Sequence, residues 1–362
     1  MHKYSITQVA KKMSRVLFIL KRREDYHAIT HSHIGLSTGL YNSANFMNVM
    51  LQENGIESNL EVAIDNNCID RLVNKHKPTH VIIEALWVVP TKFVILQKLH
   101  PNVTWIIRLH SEMPFMAGEG MAMDWLGDYS QFKNIVIGVN APRMKREVAV
   151  YLQTKNAWSD AETDKRVIYM PNFYPQEYKT KKFNKDKDTI DIGCFGAIRP
   201  LKNHLLQAFA ALDFANQIGK KLRFHVNAGR IEMNGSPVIN NLKGLFQHLA
   251  GTGHEMVNHT WRPREEFLDL CAEMDIGLQV SFSETFNIVS ADLISQGVPI
   301  VATAEELPWA VEMWCANPVN SEDIVNKLKL AYKFPGANTK TNQWSLKHYT
   351  NQTVKIWTKY FS

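Results

Sequence analysis

The sequence predicts an α/β protein with two domains, each built around a parallel sheet. At 362 residues, the chain exceeds the length that one hydrophobic core usually supports. Short apolar runs alternate with helical patterns along most of it, as in parallel sheets covered by helices on both faces. A polar, lysine-rich passage without either period, residues 170–189, separates two such halves.

The first half contains apolar runs that we interpret as buried strands, at residues 15–20, 58–64, 79–86, 104–110 and 134–140. A helical pattern over residues 43–55 ends on Gly55, a residue suited to a helix C-terminus. We therefore expect an N-terminal Rossmann-like domain over residues 1–172 and a linker over residues 173–189.

The alternation then restarts, with predicted strands at residues 190–196, 222–229, 275–281 and 298–303. These define a second Rossmann-like domain over residues 190–340. After it, Leu346, Tyr349, Thr353, Trp357 and Phe361 recur near helical spacing, as expected for one buried face of a helix. Residues 341–362 are thus predicted to form a helix that packs back across the domains.

Composition excludes several classes of protein. No apolar run reaches about 18 residues, so we expect no transmembrane helix. The N-terminus lacks the small-residue cleavage pattern of a secretory signal. The four cysteines form no Cys-x-x-Cys pair, which disfavours a zinc site or a disulfide framework and favours a reducing cytoplasm.

In open α/β sheets ligands bind outside the carboxyl ends of the strands, so a cleft between the two sheets is the predicted site. The loop after the strand at 190–196 presents Gly196, Arg199 and Lys202. A guanidinium fork and an ammonium group both suit phosphate oxygens. A solvated basic loop explains the same residues equally well.

The stretch 281–303 runs from a strand end through a polar loop into a helix. Backbone amides around Thr285, Phe286 and Asn287 lie at that helix N-terminus, which attracts anions. Glu284 precedes them and Asp292 follows on the first turns. Taken singly, these two acids are also explained as an N-cap and a helix-face residue.

Together, these features resemble the donor domain of GT-B glycosyltransferases of the retaining family 4 type. The resemblance covers residues 190–303 and rests on three ordered motifs: Gly-x-x-Arg-Pro-x-Lys-Asn at 196–203, two carboxylates eight residues apart, and Gly-Val-Pro-Ile-Val at 297–301. It implies a GT-B fold, a nucleotide-diphosphate sugar as co-substrate (a UDP-sugar above all), retention of configuration and no obligatory cofactor. Because no Asp-x-Asp motif is apparent in the cleft loops, we expect metal-independent chemistry.

The resemblance also implies roles for individual residues. Arg199 and Lys202 would hold the diphosphate, Glu284 would bind the transferred sugar, and Asp292 would bind the ribose. His110, at a strand end, would face the reacting carbon, although a histidine that merely caps a strand is an equal alternative. By the same resemblance, the domain over residues 1–172 binds the acceptor and the domain over residues 190–340 binds the donor. A loop at residues 33–46, which carries Gly35 and Gly39 ahead of a helix, would approach the diphosphate from across the cleft. Further nucleotide contacts are implied for Gly39, Gly196, Arg262, Thr285, Phe286, Asn287 and Ile288.

The sequence departs from the family pattern at three positions. Asp292 stands where the family has glutamate, and Thr285 and Asn287 flank Phe286 where glycines are usual. We expect these side chains to narrow or re-aim the phosphate site.

Basic clusters follow two strands of the N-terminal half, one at Lys21, Arg22 and Arg23 and another at Arg143, Lys145 and Arg146. The predicted acceptor-binding residues are Lys21, Arg22, Arg23, Glu112 and Arg143. The two clusters favour a polyanionic acceptor. The chain also resembles viral glycosyltransferases that modify hydroxymethylated DNA bases. The resulting hypothesis is a 5-hydroxymethylpyrimidine in double-stranded DNA, modified in the cytoplasm of a host and exposed by base flipping.

Two alternatives stay open. The acceptor could be a lipid or polysaccharide at a membrane face, where basic clusters attract anionic headgroups. The chain could also be a non-catalytic nucleotide-binding module of GT-B fold.

Overall fold

A computed structural model describes residues 14–22, 38–303 and 307–362. Within these ranges the chain forms two six-stranded sheets, one from each half, with helices on their faces.

The first sheet has the order β2-β1-β3-β4-β5-β6, and every neighbouring pair is parallel. Its strands are β1 (Arg15–Lys21), β2 (Glu57–Ala63), β3 (His80–Glu84), β4 (Thr104–Leu109), β5 (Ile135–Val139) and β6 (Val167–Tyr169). The helices of this half are α1 (Thr38–Glu53), α2 (Cys68–His76), α3 (Pro90–Leu99), α4 (Met113–Met116), α5 (Ala122–Tyr129), α6 (Pro142–Asn156) and α7 (Asp160–Arg166).

Strand β1 shows why this sheet is covered on both sides. Its consecutive apolar residues are all buried, and they alternate between two separate cores. Leu17 and Ile19 belong to one core, whereas Val16, Phe18 and Leu20 belong to the other. Successive side chains of a strand point to opposite faces, so a continuous apolar run requires helices above and below.

The second sheet has the order β12-β11-β10-β7-β8-β9, also entirely parallel. Its strands are β7 (Thr189–Gly193), β8 (Lys221–Val226), β9 (Glu255–Asn258), β10 (Ile276–Gln279), β11 (Ile300–Thr303) and β12 (Cys315–Ala316). Its helices are α8 (His204–Gln217), α9 (Ser236–His248), α10 (Arg264–Glu273), α11 (Ile288–Ser295), α12 (Ser321–Lys333) and α13 (Pro335–Phe361). This is the doubly wound order, whose direction reverses between β7 and β10, where such sheets bind ligands.

The segment between the sheets, residues 170–187, contains neither helix nor strand. It lies along α11, where the amide of Lys179 donates to the carbonyl of Ser295 at 2.6 Å. Gly297 accommodates this contact: its φ is +77°, and a Cβ there would lie 2.8 Å from the Lys179 carbonyl oxygen. We propose that this segment is the linker expected at residues 173–189.

Helix α13 begins earlier than the sequence predicts, at Pro335, and contacts both halves. All five side chains of the predicted face are buried. Leu346 and Tyr349 join a core of the second half, and Trp357 and Phe361 join a core of the first. The indole of Trp357 also donates to the carbonyl of Pro171 at 2.9 Å.

Although α13 runs for 27 residues, it is too polar to cross a bilayer. No other helix in the described ranges is long and apolar enough to do so either.

Replacing Trp357 by alanine should lower the free energy of unfolding by about 3–5 kcal/mol, because it leaves a cavity beneath the first sheet. Urea denaturation followed by circular dichroism measures this change. Trp344→Ala is the matched control, since Trp344 lies on the same helix but is 71% exposed. The control should shift stability by about 0.5 kcal/mol or less, and equal losses in both variants would contradict the packing described above.

Candidate functional site

A cavity of about 280 Å³ lies between the two halves of the molecule. Residues in the segments that follow strands of both sheets line this cavity, as expected for open α/β sheets. They include His110 after β4, Asn172 after β6, Gly196 after β7, Asn227 after β8 and Glu284 after β10.

Every residue predicted to be catalytic or to bind the nucleotide lines this cavity. These are Gly39, His110, Gly196, Arg199, Lys202, Arg262, Glu284, Thr285, Phe286, Asn287, Ile288 and Asp292. The predicted acceptor residues are absent from its lining, as far as the described ranges extend. Arg23 and the loop residue Gly35 lie outside those ranges.

The loop after β7 brings a predicted phosphate ligand and a predicted sugar ligand together. Gly196 has a φ of +122°, and its amide donates to the side chain of Asn227 at 2.7 Å. Lys202 ends a short 3-10 helix, Pro200–Lys202, and its ammonium donates to the carboxylate of Glu284. Both side chains of this ion pair are about nine-tenths buried, so each offsets the charge of the other in a poorly solvated place.

Two residues that the sequence interpretation overlooked complete this wall. Glu232 accepts from Arg199 at 3.3 Å and is also paired with Arg230. The guanidinium of Arg199 lies 4.6 Å from the ring centroid of Phe115, which belongs to the first half. Arg230 and Glu232 follow β8, and their position after a strand end could have identified them as candidate site residues.

Helix α11 directs its N-terminus into the cavity. Asn287 precedes it with a φ of +52°, a conformation that asparagine tolerates better than most residues. Its side chain accepts from the amide of Ser290 at 3.0 Å and so caps the helix. The free first-turn amides that remain, at Ile288 and Val289, are suited to an anion.

Gly39 lies opposite this helix end. The sequence interpretation placed it in a loop ahead of a helix starting near residue 43, but α1 already begins at Thr38, so Gly39 lies in its first turn. A Cβ on Gly39 would be 3.8 Å from Ile288, which shows how close the two helices come.

Asp292 is anchored by two residues that the motif did not reveal. Its Oδ1 accepts from Arg264 at 2.6 Å and from the hydroxyl of Tyr174 at 2.7 Å. Burial raises the pKa of the Asp292 carboxyl, while Arg264 and Tyr174 oppose the rise. Phe46 of the first half stacks on Arg264 at 4.7 Å, so this cluster also joins the two halves.

His110 is held by a buried ion pair inside the first sheet. Its Nε2 is hydrogen-bonded to Glu84, which is paired with Arg108 at 3.1 Å. Both charged side chains are fully buried. Burial lowers the pKa of His110, although Glu84 opposes this. In the sequence, Glu84 and Arg108 each stand as a single charged residue in an apolar strand. The register of β3 and β4 places them opposite each other.

Thr285 connects the second half to the strand end of His110. Its hydroxyl donates to the backbone carbonyl of His110 at 3.1 Å and accepts from the side chain of Asn140 at 3.0 Å. This residue replaces a glycine of the family pattern. Its side chain therefore contributes a contact between the two halves that glycine could not make.

The residues predicted to bind the acceptor fall into two groups. Lys21 and Arg22 are exposed at the end of β1. Glu112 is buried and accepts from Arg143, and Lys145 pairs with Asp164 at 3.1 Å. The charge of the second basic cluster is therefore partly offset within the protein.

The cavity lining carries an excess of positive charge, with five cationic side chains against three carboxylates. The cations are Arg199, Lys202, Arg230, Arg262 and Arg264, and the carboxylates are Glu232, Glu284 and Asp292. In the portion of the chain that the structure describes, no three histidine, cysteine or acidic side chains are grouped to hold a metal ion.

Thr285→Val should destabilise the protein by about 1–3 kcal/mol, because it leaves the buried Asn140 amide without this acceptor. Thr285→Ser keeps the hydroxyl, so its free energy of unfolding should fall clearly less than that of Thr285→Val. Thermal and urea unfolding of both variants measure the difference. A loss of stability in the serine variant as large as that in the valine variant would contradict the importance given to the hydroxyl.

No protein-family model matches this sequence, and a search of curated proteins finds no match to it. Solved structures do resemble it. Sucrose-phosphate synthase from Thermosynechococcus elongatus is 12% identical with a TM-score of 0.65, over 96% of this chain and 98% of that one. An α,α-trehalose-phosphate synthase (UDP-forming) from Burkholderia vietnamiensis is 11% identical with a TM-score of 0.62, over 96% of each chain.

HepE of Anabaena, solved in complex with UDP, is 12% identical with a TM-score of 0.58, over 95% of this chain and 96% of that one. At such identities the likeness concerns the fold. The chain therefore has the α/β GT-B fold, with two parallel Rossmann-like sheets flanking a central cleft.

Proposed function

We propose that this protein is a glycosyltransferase that moves a sugar from a nucleotide-diphosphate sugar to an acceptor hydroxyl. The observation that carries the proposal is the cationic cavity at the switch point of the second sheet, into which the N-terminus of α11 opens. A UDP-sugar is the proposed donor, since HepE of the same fold was solved with UDP-glucose.

The diphosphate would lie among Arg199, Lys202 and the first amides of α11. Negative charge develops on the leaving diphosphate as the glycosidic bond breaks. Fixed cations and a helix dipole that already point at this charge stabilise the transition state without reorganising. Because these groups supply positive charge themselves, we propose that the reaction is metal-independent.

The sugar and nucleoside would lie on either side of the diphosphate. Glu284 is proposed to accept from sugar hydroxyls, with Lys202 holding its carboxylate in place. Asp292 is proposed to face the ribose, in a position set by Arg264 and Tyr174. Arg262 would lie toward the base.

We further propose that configuration is retained. An inverting reaction needs a free basic group to deprotonate the acceptor from the far side of the sugar. Each carboxylate of the lining is instead paired with an arginine or lysine, so its oxygens are already engaged. Burial lowers the pKa of His110, the other basic group of the lining, so that it takes up a proton less readily. The leaving phosphate oxygen is then the better proton acceptor.

Lys202→Ala should weaken UDP binding by about 10- to 100-fold, the loss expected for a charge-assisted hydrogen bond. Isothermal titration with UDP measures it, followed by a panel of nucleotide sugars in which release of UDP is assayed. Lys243→Ala, at an exposed lysine of the same half, is the matched control. Unchanged UDP affinity in Lys202→Ala would reject the proposed phosphate site, and tight binding without turnover on any acceptor would favour a non-catalytic module.

For the acceptor, we propose a 5-hydroxymethylpyrimidine in double-stranded DNA, acted on in the cytoplasm. Exposed Lys21 and Arg22, at the carboxyl edge of the first sheet, support a polyanionic acceptor. The paired Arg143 and Lys145 contribute less to this argument than their number in the sequence implies.

The double variant Lys21→Ala, Arg22→Ala should weaken binding to hydroxymethylated duplex DNA and flatten its dependence on salt. The slope of log K against log salt should change by about 0.9 for each phosphate that the two side chains no longer neutralise. Fluorescence anisotropy measures binding, and mass spectrometry of digested nucleosides detects the attached sugar. Binding to anionic vesicles instead of DNA, with no modified nucleoside, would support the membrane-face alternative.

A further inference from the structure

Glu84 is a buried acid that the proposed chemistry does not use, although it contacts a residue of the cavity. We propose that Glu84 is a positioning residue: it fixes His110 as a neutral imidazole with its proton on Nε2, so that Nδ1 accepts a hydrogen bond from a hydroxyl of the transferred sugar. This role rests on the proposed glycosyl transfer and adds a residue to it. The tautomer of His110 does not depend on that proposal.

The first step of the argument is the charge on Glu84. Arg108 donates from Nη1 to both carboxylate oxygens, at 3.1 and 3.4 Å. A guanidinium keeps its proton in proteins, and both side chains are fully buried. Burial alone would raise the pKa of Glu84, but Arg108 and His110 outweigh burial and lower it. Glu84 is therefore ionised.

The second step is the direction of the hydrogen bond. An ionised carboxylate has no hydrogen to donate, so the hydrogen shared with His110 must be on Nε2. Burial and the nearby charge of Arg108 disfavour a second proton on the ring. Nδ1 is then left with a lone pair, and no hydrogen bond from the described residues reaches it.

The third step is the rigidity of this arrangement. Arg108 is held in turn by the carbonyls of Met170 and Pro171 and by the side chain of Asn172, at 2.5 to 3.4 Å. The backbone of His110 is held from the opposite half by Thr285. Ring and backbone are thus fixed independently, as in sites where one residue orients the group that meets the substrate.

The direct test needs no variant at the ion pair. Long-range proton–nitrogen NMR of the protein labelled with ¹⁵N-histidine distinguishes a protonated from an unprotonated ring nitrogen, and His110→Gln assigns the signal among the 14 histidines. We expect an Nε2–H, Nδ1-unprotonated ring at neutral pH. A ring protonated on Nδ1, or on both nitrogens, would overturn the proposal.

The second test separates positioning from mere folding. Glu84→Gln can donate to Nε2 and should move the proton to Nδ1, which turns an acceptor into a donor. A hydroxyl can accept as well as donate, so the useful donor analogues each replace one sugar hydroxyl by fluorine, which cannot donate. They should reveal one position where wild type loses about tenfold in kcat/KM and the variant loses no more than about twofold. Equal sensitivity of both proteins at every position would overturn the sugar contact.

Glu84→Gln leaves Arg108 buried without its counter-charge, so the variant requires a folding control by circular dichroism. If it does not fold, the NMR measurement on the wild-type protein still decides the tautomer. His110→Ala with the same analogues still tests the sugar contact, since this variant should lose the sensitivity at that one position. Absence of transfer from every nucleotide sugar would reject the proposed function but leave the tautomer result standing. The two failures are therefore distinguishable.

Discussion

The ion pair between Glu84 and Arg108 holds together parts of the molecule that are far apart in the chain. Two charges inside an apolar sheet are tolerated because each satisfies the other. Glu84 then reaches His110 in the cavity, whereas Arg108 reaches the backbone where β6 leaves the sheet. The guanidinium also lies 5.0 Å from the ring centroid of Trp357 in α13. One buried pair thus organises the cavity wall, the start of the linker and the docking of the last helix.

The two halves of the cavity differed in how far the sequence could predict them. The wall formed by the second half depends on short contiguous motifs, and each predicted residue there lines the cavity. The partners of those residues come from elsewhere: Tyr174 from the linker reaches Asp292 across 118 positions in sequence. Pairings of this kind follow from strand order and helix placement, which no local pattern encodes.

The sequence predicted the presence of helices better than it predicted the residues at which they begin. Helix α1 starts at Thr38, ahead of the apolar pattern, and α13 starts at Pro335, a residue suited to a first helical turn. The apolar period marks only the part of a helix that packs against a core. Turns that extend beyond the core leave no such period, so Gly39 was assigned to a loop although it belongs to a helix.

The departures from the family motif have physical explanations. Asn287 takes a left-handed conformation that a glycine would otherwise supply, and its side chain then caps α11. Thr285 turns its hydroxyl away toward His110 and Asn140. Neither side chain is therefore simply added to the proposed phosphate site. Each replaces the freedom of glycine by a fixed hydrogen bond, which makes the helix end more rigid.

Helix α13 has a mechanical consequence for how the cleft could open. The chain passes between the halves twice, once in the linker and once in α13, and the two passages touch: Trp357 donates to Pro171, and Thr353 donates to Asn172. Because the linker and α13 are hydrogen-bonded to each other where they cross, together they form a single hinge between the halves. Rotation about this hinge separates the halves without breaking the hydrogen bonds between the linker and α13. Such a rotation would break the contacts of Thr285 and Phe115 with the opposite half, and closure of the cleft would form them again.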